Sequence, residues 1–251
     1  MHSPTTRFSD RVANYVAWRP GYPAGVVDTL IERCGLTPEA WVADVGSGTG
    51  LLTTLLLPHC RGVYAIEPNR PMAAAAEVTL GGHPRFHPVL APAEATTLPS
   101  ASVDLVTAAQ AFHWFDRGAC RAEWLRILRP GGRVALIWNE RRVEGSAFLA
   151  GYERLLHRHA LDYQEVNHAN LDAATLRAFF DQVDTIVYPN TQHFDLTGLR
   201  GRLLSSSYAP PIEDPRSGPM LAELADLYTT HAVDGRVSFL YDTRVWFGTI
   251  G

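Results

Sequence analysis

The 251-residue sequence predicts an α/β protein with three layers, helices covering both faces of a doubly wound sheet. Two observations carry that expectation. The first is Trp41-Val-Ala-Asp-Val-Gly-Ser-Gly-Thr-Gly50 followed by Leu51-Leu-Thr-Thr-Leu-Leu-Leu57. An apolar run broken only by Asp44 reads as a buried parallel strand, the glycines as a tight turn, and the leucine-rich segment as a helix ending at Pro58. The second is that the alternation of strand and helix continues to about residue 140.

In chain order, residues 1–8 read as a mobile start, and Ser9-Asp10 as the cap of a short helix carrying Val12, Tyr15 and Val16. Ala17-Trp-Arg-Pro-Gly-Tyr-Pro23 is a rigid, proline-punctuated loop. A helix from Ala24 to Cys34 places Val26, Val27, Leu30 and Ile31 on one stripe and stops at Gly35. Gly62 to Glu67 is the second strand, and Asn69 or Pro71 opens a helix through Leu80. Arg85 to Leu90 and Ser102 to Thr107 are the third and fourth strands. A helix from Asp116 to Leu128 ends at Arg129-Pro-Gly-Gly132, and Arg133 to Trp138 is the fifth strand. Beyond Asn139, helices are expected over Ser146–Ala160, Leu171–Phe180, Leu196–Ser207 and Met220–Ala232, with a proline-rich loop from Ala209 to Pro219. The first of these places Phe148, Leu149, Tyr152, Leu155 and Leu156 on one face. Asp184 to Tyr188 is a sixth strand. Arg236 to Gly248 is one long strand or a hairpin turning at Asp242-Thr243.

A strand, a glycine turn and a helix make a nucleotide site, because glycine lets the backbone turn sharply and approach a ligand. Spacing sorts the nucleotides. A dinucleotide fingerprint G-x-G-x-x-G puts its third glycine at 51, which is Leu, and a P-loop needs a lysine, whereas all 22 basic residues here are arginines. Glu67 lies 67 − 46 = 21 residues past Gly46, at the end of a strand, where a carboxylate accepts both hydroxyls of a ribose.

The pattern Asp44-x-Gly46-x-Gly48-x-Gly50 resembles motif I of the class I S-adenosylmethionine (SAM)-dependent methyltransferases. Three further segments resemble that family: Ala93-Glu94 with Leu98-Pro99, the strand containing Asp104, and Leu128-Arg-Pro-Gly-Gly132 before an apolar strand. His113-Trp114 and Tyr15-x-x-x-Arg19-Pro20-x-Tyr22-Pro23 look like a type-11 subgroup related to trans-aconitate methyltransferase. The resemblance covers about residues 9–140 and implies a Rossmann-like, seven-stranded mixed sheet whose last two strands pair antiparallel. Those strands are far apart here, so a helical cap is expected between them, in a single domain. Its core is about 24–140 plus the C-terminal strands, with cap elements from about 141–235.

By the same resemblance, Asp44 sits near the methionine part of SAM and Glu94 near the adenine amino group, with Ala93 contributing backbone. The implied cofactor set is Arg19, Asp44, Gly46, Ser47, Gly48, Gly50, Glu67, Pro68, Met72, Ala93, Glu94 and Gln110. Tyr22, Trp114, Trp138 and Tyr208 face the acceptor, Tyr208 through a Leu203-to-Tyr208 segment similar to one lining the subgroup's acceptor pocket. His113 is the candidate general base. Phe112 and Phe115 divide evenly between core and site. Arg19, Arg141, Arg142, Arg202 and Arg244 are the cations a polycarboxylate acceptor would need, each read as an ordinary surface arginine.

The expected activity is methyl transfer from SAM to an oxygen or nitrogen of a small molecule, a carboxylate being one candidate. A nicotinamide-dependent oxidoreductase shares the acid after the second strand but fails on glycine spacing. A SAM-binding protein without acceptor chemistry is the remaining alternative, against which the aromatic set Trp114, Trp138 and Tyr208 argues. A net charge of −4 and a pI of about 6.2 give no global attraction to nucleic acid or anionic membrane. Cys34, Cys60 and Cys120 are widely spaced and suggest neither a disulfide framework nor a zinc site. His157 and His159 are two apart on a helix and share no face, so no metal is expected. With no apolar signal core and no long apolar window, the expected location is the cytoplasm.

Overall fold

A computed structural model of the chain describes residues 16–161, 163 and 173–251. The helix start expected at Ser9-Asp10, with Val12 and Tyr15, and the start expected at Leu171 lie outside the described residues.

The strands are β1 (Trp41–Val45), β2 (Gly62–Ile66), β3 (Phe86–Val89), β4 (Val103–Ala109), β5 (Leu128–Arg141), β6 (Gln182–Phe194) and β7 (Val237–Thr249). They form one seven-stranded sheet in the order β3-β2-β1-β4-β5-β7-β6. The first five are parallel, and β7 runs antiparallel to both of its neighbours. The order reverses between β1 and β4, so the loops leaving these strands diverge and open a crevice at their carboxyl ends. Buried clusters cover both faces of the parallel part: Leu30, Leu56 and Val63 on one side, Phe112, Trp124 and Val134 on the other. Covered on two faces, β1 buries all of its residues but Trp41, as its unbroken apolar character requires.

The helices are α1 (Ala24–Cys34), α2 (Leu51–Leu56), α3 (Arg70–Leu80), α4 (Arg117–Ile127), α5 (Ala147–His159), α6 (Ala173–Phe179), α7 (Leu196–Leu204) and α8 (Ser217–His231). Their starts carry the residues that such starts need. Asn69, Asp116, Ser146 and Asp195 each accept a first-turn backbone N–H through the side chain. Gly35 ends α1 at φ +74°.

Three elements depart from expectation. Ile31 is 40% exposed, because the buried stripe of α1 runs through Val26, Val27, Leu30 and Cys34 and Ile31 lies roughly a quarter turn off it. β5 begins at Leu128, paired with Val103, and resumes the ladder at Arg133 opposite Leu105, so Arg129–Gly132 bulges out of a strand instead of separating helix from strand. β6 is 13 residues long, Gln182–Phe194, and extends the strand expected over Asp184–Tyr188 at both ends. Of the two readings of Arg236–Gly248, the single long strand holds: Asp242-Thr243 lie in the middle of a continuous β7 paired along both edges, where a hairpin would strip both ladders.

α5, α7 and α8 pack together over the far end of β6 and β7. Phe148, Leu149, Tyr152, Leu155 and Leu156 are all buried there, as their stripe requires, against Leu199, Leu203, Met220 and Phe239. Among the described residues no helix is long and apolar enough to cross a membrane.

Candidate active site

The site is built from loops leaving the carboxyl ends of β1, β2, β4 and β5. Gly46, Gly48 and Gly50 have φ of +69°, +57° and +83°, a region closed to most side chains. The N–H groups of Gly46 and Ser47 both bond to the Ile66 carbonyl at 2.8 and 3.1 Å, tying the turn to the end of β2. The glycines differ in what surrounds them. A Cβ on Gly46 would stand 2.5 Å from the Ala111 methyl, and one on Gly50 2.7 Å from Leu80. These two are therefore also packing positions. A Cβ on Gly48 would meet only the Met72 methyl at 3.4 Å, so the turn is open above Gly48. The adjoining cleft is lined by Tyr22, Asp44, Gly46, Ser47, Gly48, Thr49, Leu51, Leu52 and Ala109.

Two buried carboxylates stand at this turn. Glu67 accepts from Gly48 N at 2.9 Å through one oxygen and from Asn69 N at 2.8 Å through the other. Burial raises its pKa, against the lowering effect of those two N–H groups, and the nearby charge of Asp44 raises it further. Asp44 accepts from the hydroxyls of Thr53 at 2.6 Å and Thr107 at 2.9 Å. Burial pushes its pKa up to about 6 although both hydroxyls favour the charged form. Pro68 lies between Glu67 and Asn69, and Asn69 caps α3 by accepting from Met72 N. Met72 is buried next to the turn.

On the far side of β1, Glu94 accepts from Asp116 N at 2.9 Å and so ties its loop to the start of α4. Burial, and then the charge of Glu94, raise the pKa of the Cys120 thiol. The Ala93 carbonyl accepts from Trp124 Nε1 at 3.2 Å. Gln110 follows β4 with φ +56°, strained for a residue with a side chain. Two bonds to β5 hold it there, from its N–H to the Ile137 carbonyl at 3.0 Å and from its side-chain amide to the Asn139 carbonyl at 3.1 Å. His113 sits in a short 3-10 turn, Phe112–Trp114, with its ring centroid 4.4 Å from Trp114 and 5.0 Å, edge-on, from Trp138. His113 and Trp114 are half-buried, whereas Trp138 is buried in the core beside them. Phe112 is fully buried against Phe179, and half-buried Phe115 packs beneath Gly46.

Beyond β5 lies a polar network that sequence reasoning left out. Asn139 donates to the Gly21 carbonyl at 3.1 Å, and Asn190 of β6 bonds both Gly21 and Asn139. The loop carrying half-buried Tyr22 is thereby fixed to the sheet. Asn139 follows the apolar run of β5 toward the edge where the other site residues gather, the one signal that marks it. Arg19 donates to the Ser205 carbonyl at 2.9 Å. Tyr208 stacks edge-on against Tyr163 at 5.0 Å. Arg142 and Arg244 form the exposed ion pairs expected of surface arginines, with Asp242 and Glu140. Arg141 and Arg202 overturn that reading: their guanidinium groups are buried. His157 and His159 reach separate carboxylates, Glu153 and Glu223. Among the described residues no cluster of three or more His, Cys, Asp or Glu is arranged to hold a metal.

Residues 43–136 match the family described as "Methyltransferase domain". An uncharacterized methyltransferase of Mycobacterium tuberculosis is 38% identical over 134 residues, covering 53% of this chain and 52% of that protein. A methyltransferase-like protein of Schizosaccharomyces pombe is 33% identical over 135 residues, covering 53% and 52%. The chain thus spans about half the length of the curated relatives it matches. Among solved structures, one assigned as a type II methyltransferase from Anaeromyxobacter dehalogenans aligns with a TM-score of 0.70 and 28% identity, over 93% of this chain and 99% of that one. A structure from Anabaena variabilis, assigned as a methyltransferase of an antibiotic biosynthesis pathway, shares the fold at a TM-score of 0.63 and 24% identity, over 90% and 96%. The family match runs from β1 into β5, the stretch that supplies the glycine turn and both buried carboxylates, and this part of the chain is similar to methyltransferase domains.

Proposed function

We propose that the protein transfers a methyl group from SAM to an oxygen or nitrogen of a small-molecule acceptor, a carboxylate oxygen among the candidates. The observation that carries this reading is the Glu67 carboxylate, buried against the open side of the glycine turn with one oxygen on Gly48 N and the other on Asn69 N. Each oxygen keeps a second acceptor direction, which suits the paired hydroxyls of a ribose. Asp44 adds negative charge in the same crevice, where the cofactor is cationic.

When bound, SAM supplies a sulfonium-activated methyl group. The chain's part is to bind, align and exclude water. In this reading Glu67, Asp44 and the turn hold the cofactor, with Arg19, Pro68, Met72, Ala93, Glu94 and Gln110 around it. Tyr22, Trp114 and Tyr208 wall the acceptor side, with Trp138, expected there too, standing behind them in the core. His113 takes the acceptor proton if the acceptor is a hydroxyl or amine, and a carboxylate needs no base. The chain is read as one domain, with α5, α7 and α8 as its cap. His113-Trp114 and Arg19-Pro20-x-Tyr22-Pro23 support a narrower kinship, with the trans-aconitate methyltransferase subgroup.

A thermal-stability screen with SAM, S-adenosylhomocysteine (SAH) and NAD tests the cofactor. Stabilisation by SAM and SAH alone is expected, and stabilisation by NAD alone would return the oxidoreductase reading. Turnover on a panel of small acids and phenols then separates an enzyme from a SAM-binding protein without acceptor chemistry.

A further inference from the structure

Asn139, 4% exposed on β5, joins three parts of the chain. Its side-chain amide donates to the Gly21 carbonyl at 3.1 Å and to the Pro20 carbonyl at 3.4 Å. Its side-chain oxygen accepts from the Thr243 hydroxyl at 2.5 Å and from the Asn190 amide at 3.2 Å. Its main-chain carbonyl accepts from the Gln110 side chain at 3.1 Å. These partners fix which way the amide points, since a flipped Asn139 would set its oxygen against two carbonyl oxygens.

The segment held in this way leads into α1. Upstream, the Trp18 carbonyl accepts from Gln192 of β6 at 3.3 Å, and the Trp18 ring lies so close to α7 that a Cβ on Gly198 would stand 2.8 Å from it. Prolines at 20 and 23 stiffen the segment and leave Gly21 its freest joint. The Gly21 carbonyl receives two donors, Asn139 and, at 2.9 Å, Asn190, so the joint is held from both β5 and β6. Tyr22 comes next and lines the cleft beside the glycine turn, together with Asp44, Gly46 and Ala109. Gln110 directly follows Ala109. Two walls of the cleft, at Tyr22 and at Ala109, thus each stand one residue from a group bonded to Asn139.

We propose that Asn139 is a positioning residue for this cleft: its side chain holds the Pro20 and Gly21 carbonyls so that Tyr22 is in place before the cofactor binds. The benefit is preorganisation. A segment already ordered in the free protein loses less conformational freedom on binding, and the loss avoided shows as slower release of the ligand. The bond to Gln110 uses the main-chain carbonyl, so a side-chain substitution at Asn139 loosens the hold on Tyr22 without removing the acceptor for Gln110. This inference rests on the methyltransferase reading above and adds to it a residue that acts through Tyr22, not by touching the cofactor.

The test measures association and dissociation of SAH on the full chain by surface plasmon resonance, with melting temperatures alongside. Asn139→Ala should speed dissociation about 3–10-fold and leave association within about twofold of wild type. Asn190→Ala removes one of the two donors to Gly21 from the edge strand β6 and should act in the same direction, more weakly. Tyr22→Ala supplies the discriminating background. There, Asn139→Ala should change dissociation by less than about twofold, because the two residues act as one unit. A merely structural role would lower the melting temperature and change dissociation equally with Tyr22 or without it. Where Asn139→Ala does not fold, the same cycle with Asn190→Ala decides. The inference is overturned if Asn139→Ala and Asn190→Ala both release SAH at the wild-type rate, or if their effect is undiminished in the Tyr22→Ala protein. A wild-type protein that binds no SAH would remove the methyltransferase reading, and this inference with it.

Discussion

The backbone N–H of Gly48 donates to Glu67 at 2.9 Å, so the acid that follows β2 fixes the tip of the turn that follows β1. The two strands are adjacent and in register, with Val45 beside Ile66. One carboxylate thus has two tasks. It holds the loop in shape, and in the proposed reading it also accepts from the cofactor ribose.

Glu67→Ala should accordingly weaken SAM binding by about 1.5–3 kcal/mol, the scale of a hydrogen bond to a charged group. It should also lower the melting temperature, because Gly48 N and Asn69 N lose their acceptor. Glu67→Gln keeps the shape but turns one acceptor into a donor facing a donor, so it should resemble Glu67→Ala more than wild type. Calorimetric SAM affinity equal to wild type in both variants would remove Glu67 from the cofactor site.

The glycines should separate by mutation. At Gly46 an added Cβ is blocked by Ala111 at 2.5 Å, so Gly46→Ala should unfold or strongly destabilise the chain. At Gly48 there is room for a Cβ, and the positive φ alone costs about 1–2 kcal/mol. Gly48→Val should therefore stay folded by circular dichroism yet fail to bind SAM. A folded Gly48→Val with normal affinity would make the turn a structural device only.

This split between glycines marks how far the sequence could be read. Spacing located the turn, Glu67 and Asp44, because each is a short-range consequence of strand, turn and helix. The neighbours that decide each glycine's tolerance, Ala111 and Leu80, come from distant parts of the chain, and nothing local announces them. Arg202 shows the same limit. In sequence it is one of several arginines on a polar helix face, and only the packing of α7 against β7 reveals that its charge is buried among hydroxyls. Asn139, Asn190 and Thr243 likewise meet only because β6 and β7 return to the sheet from far along the chain.

Asp44 predicts a pH dependence. Its pKa in the folded protein, about 6, lies above the ordinary 3.8, because burial disfavours its charge. The folded state therefore binds the extra proton between those values, and stability is lost as pH rises through about 6. Asp44→Asn removes the charge, and the hydroxyls of Thr53 and Thr107 can rotate to suit the amide. The variant should melt higher than wild type at pH 7–8, by at most about 3 kcal/mol for a shift of about two units, with the gap closing toward pH 4. SAM affinity should fall in the same variant. A gap that widens as pH falls would contradict the buried, uncompensated charge.

His113 is held by aromatic rings, 4.4 Å from Trp114 and 5.0 Å from Trp138, in the turn that follows β4 and Gln110. Trp138 is core, so its edge gives the imidazole a fixed wall, while half-buried Trp114 lies on the other side. Three roles predict three results for His113→Ala. As a general base it should cost about 10²–10⁴-fold in turnover with SAM affinity intact. As a group that only positions the acceptor, its loss should appear mainly as a higher KM. As a core histidine it should lower the melting temperature with little specific kinetic change. If the acceptor is a carboxylate, no proton need be removed, and the KM effect should dominate. A large loss of turnover at unchanged KM would instead speak for a hydroxyl or amine acceptor, from which His113 removes the proton.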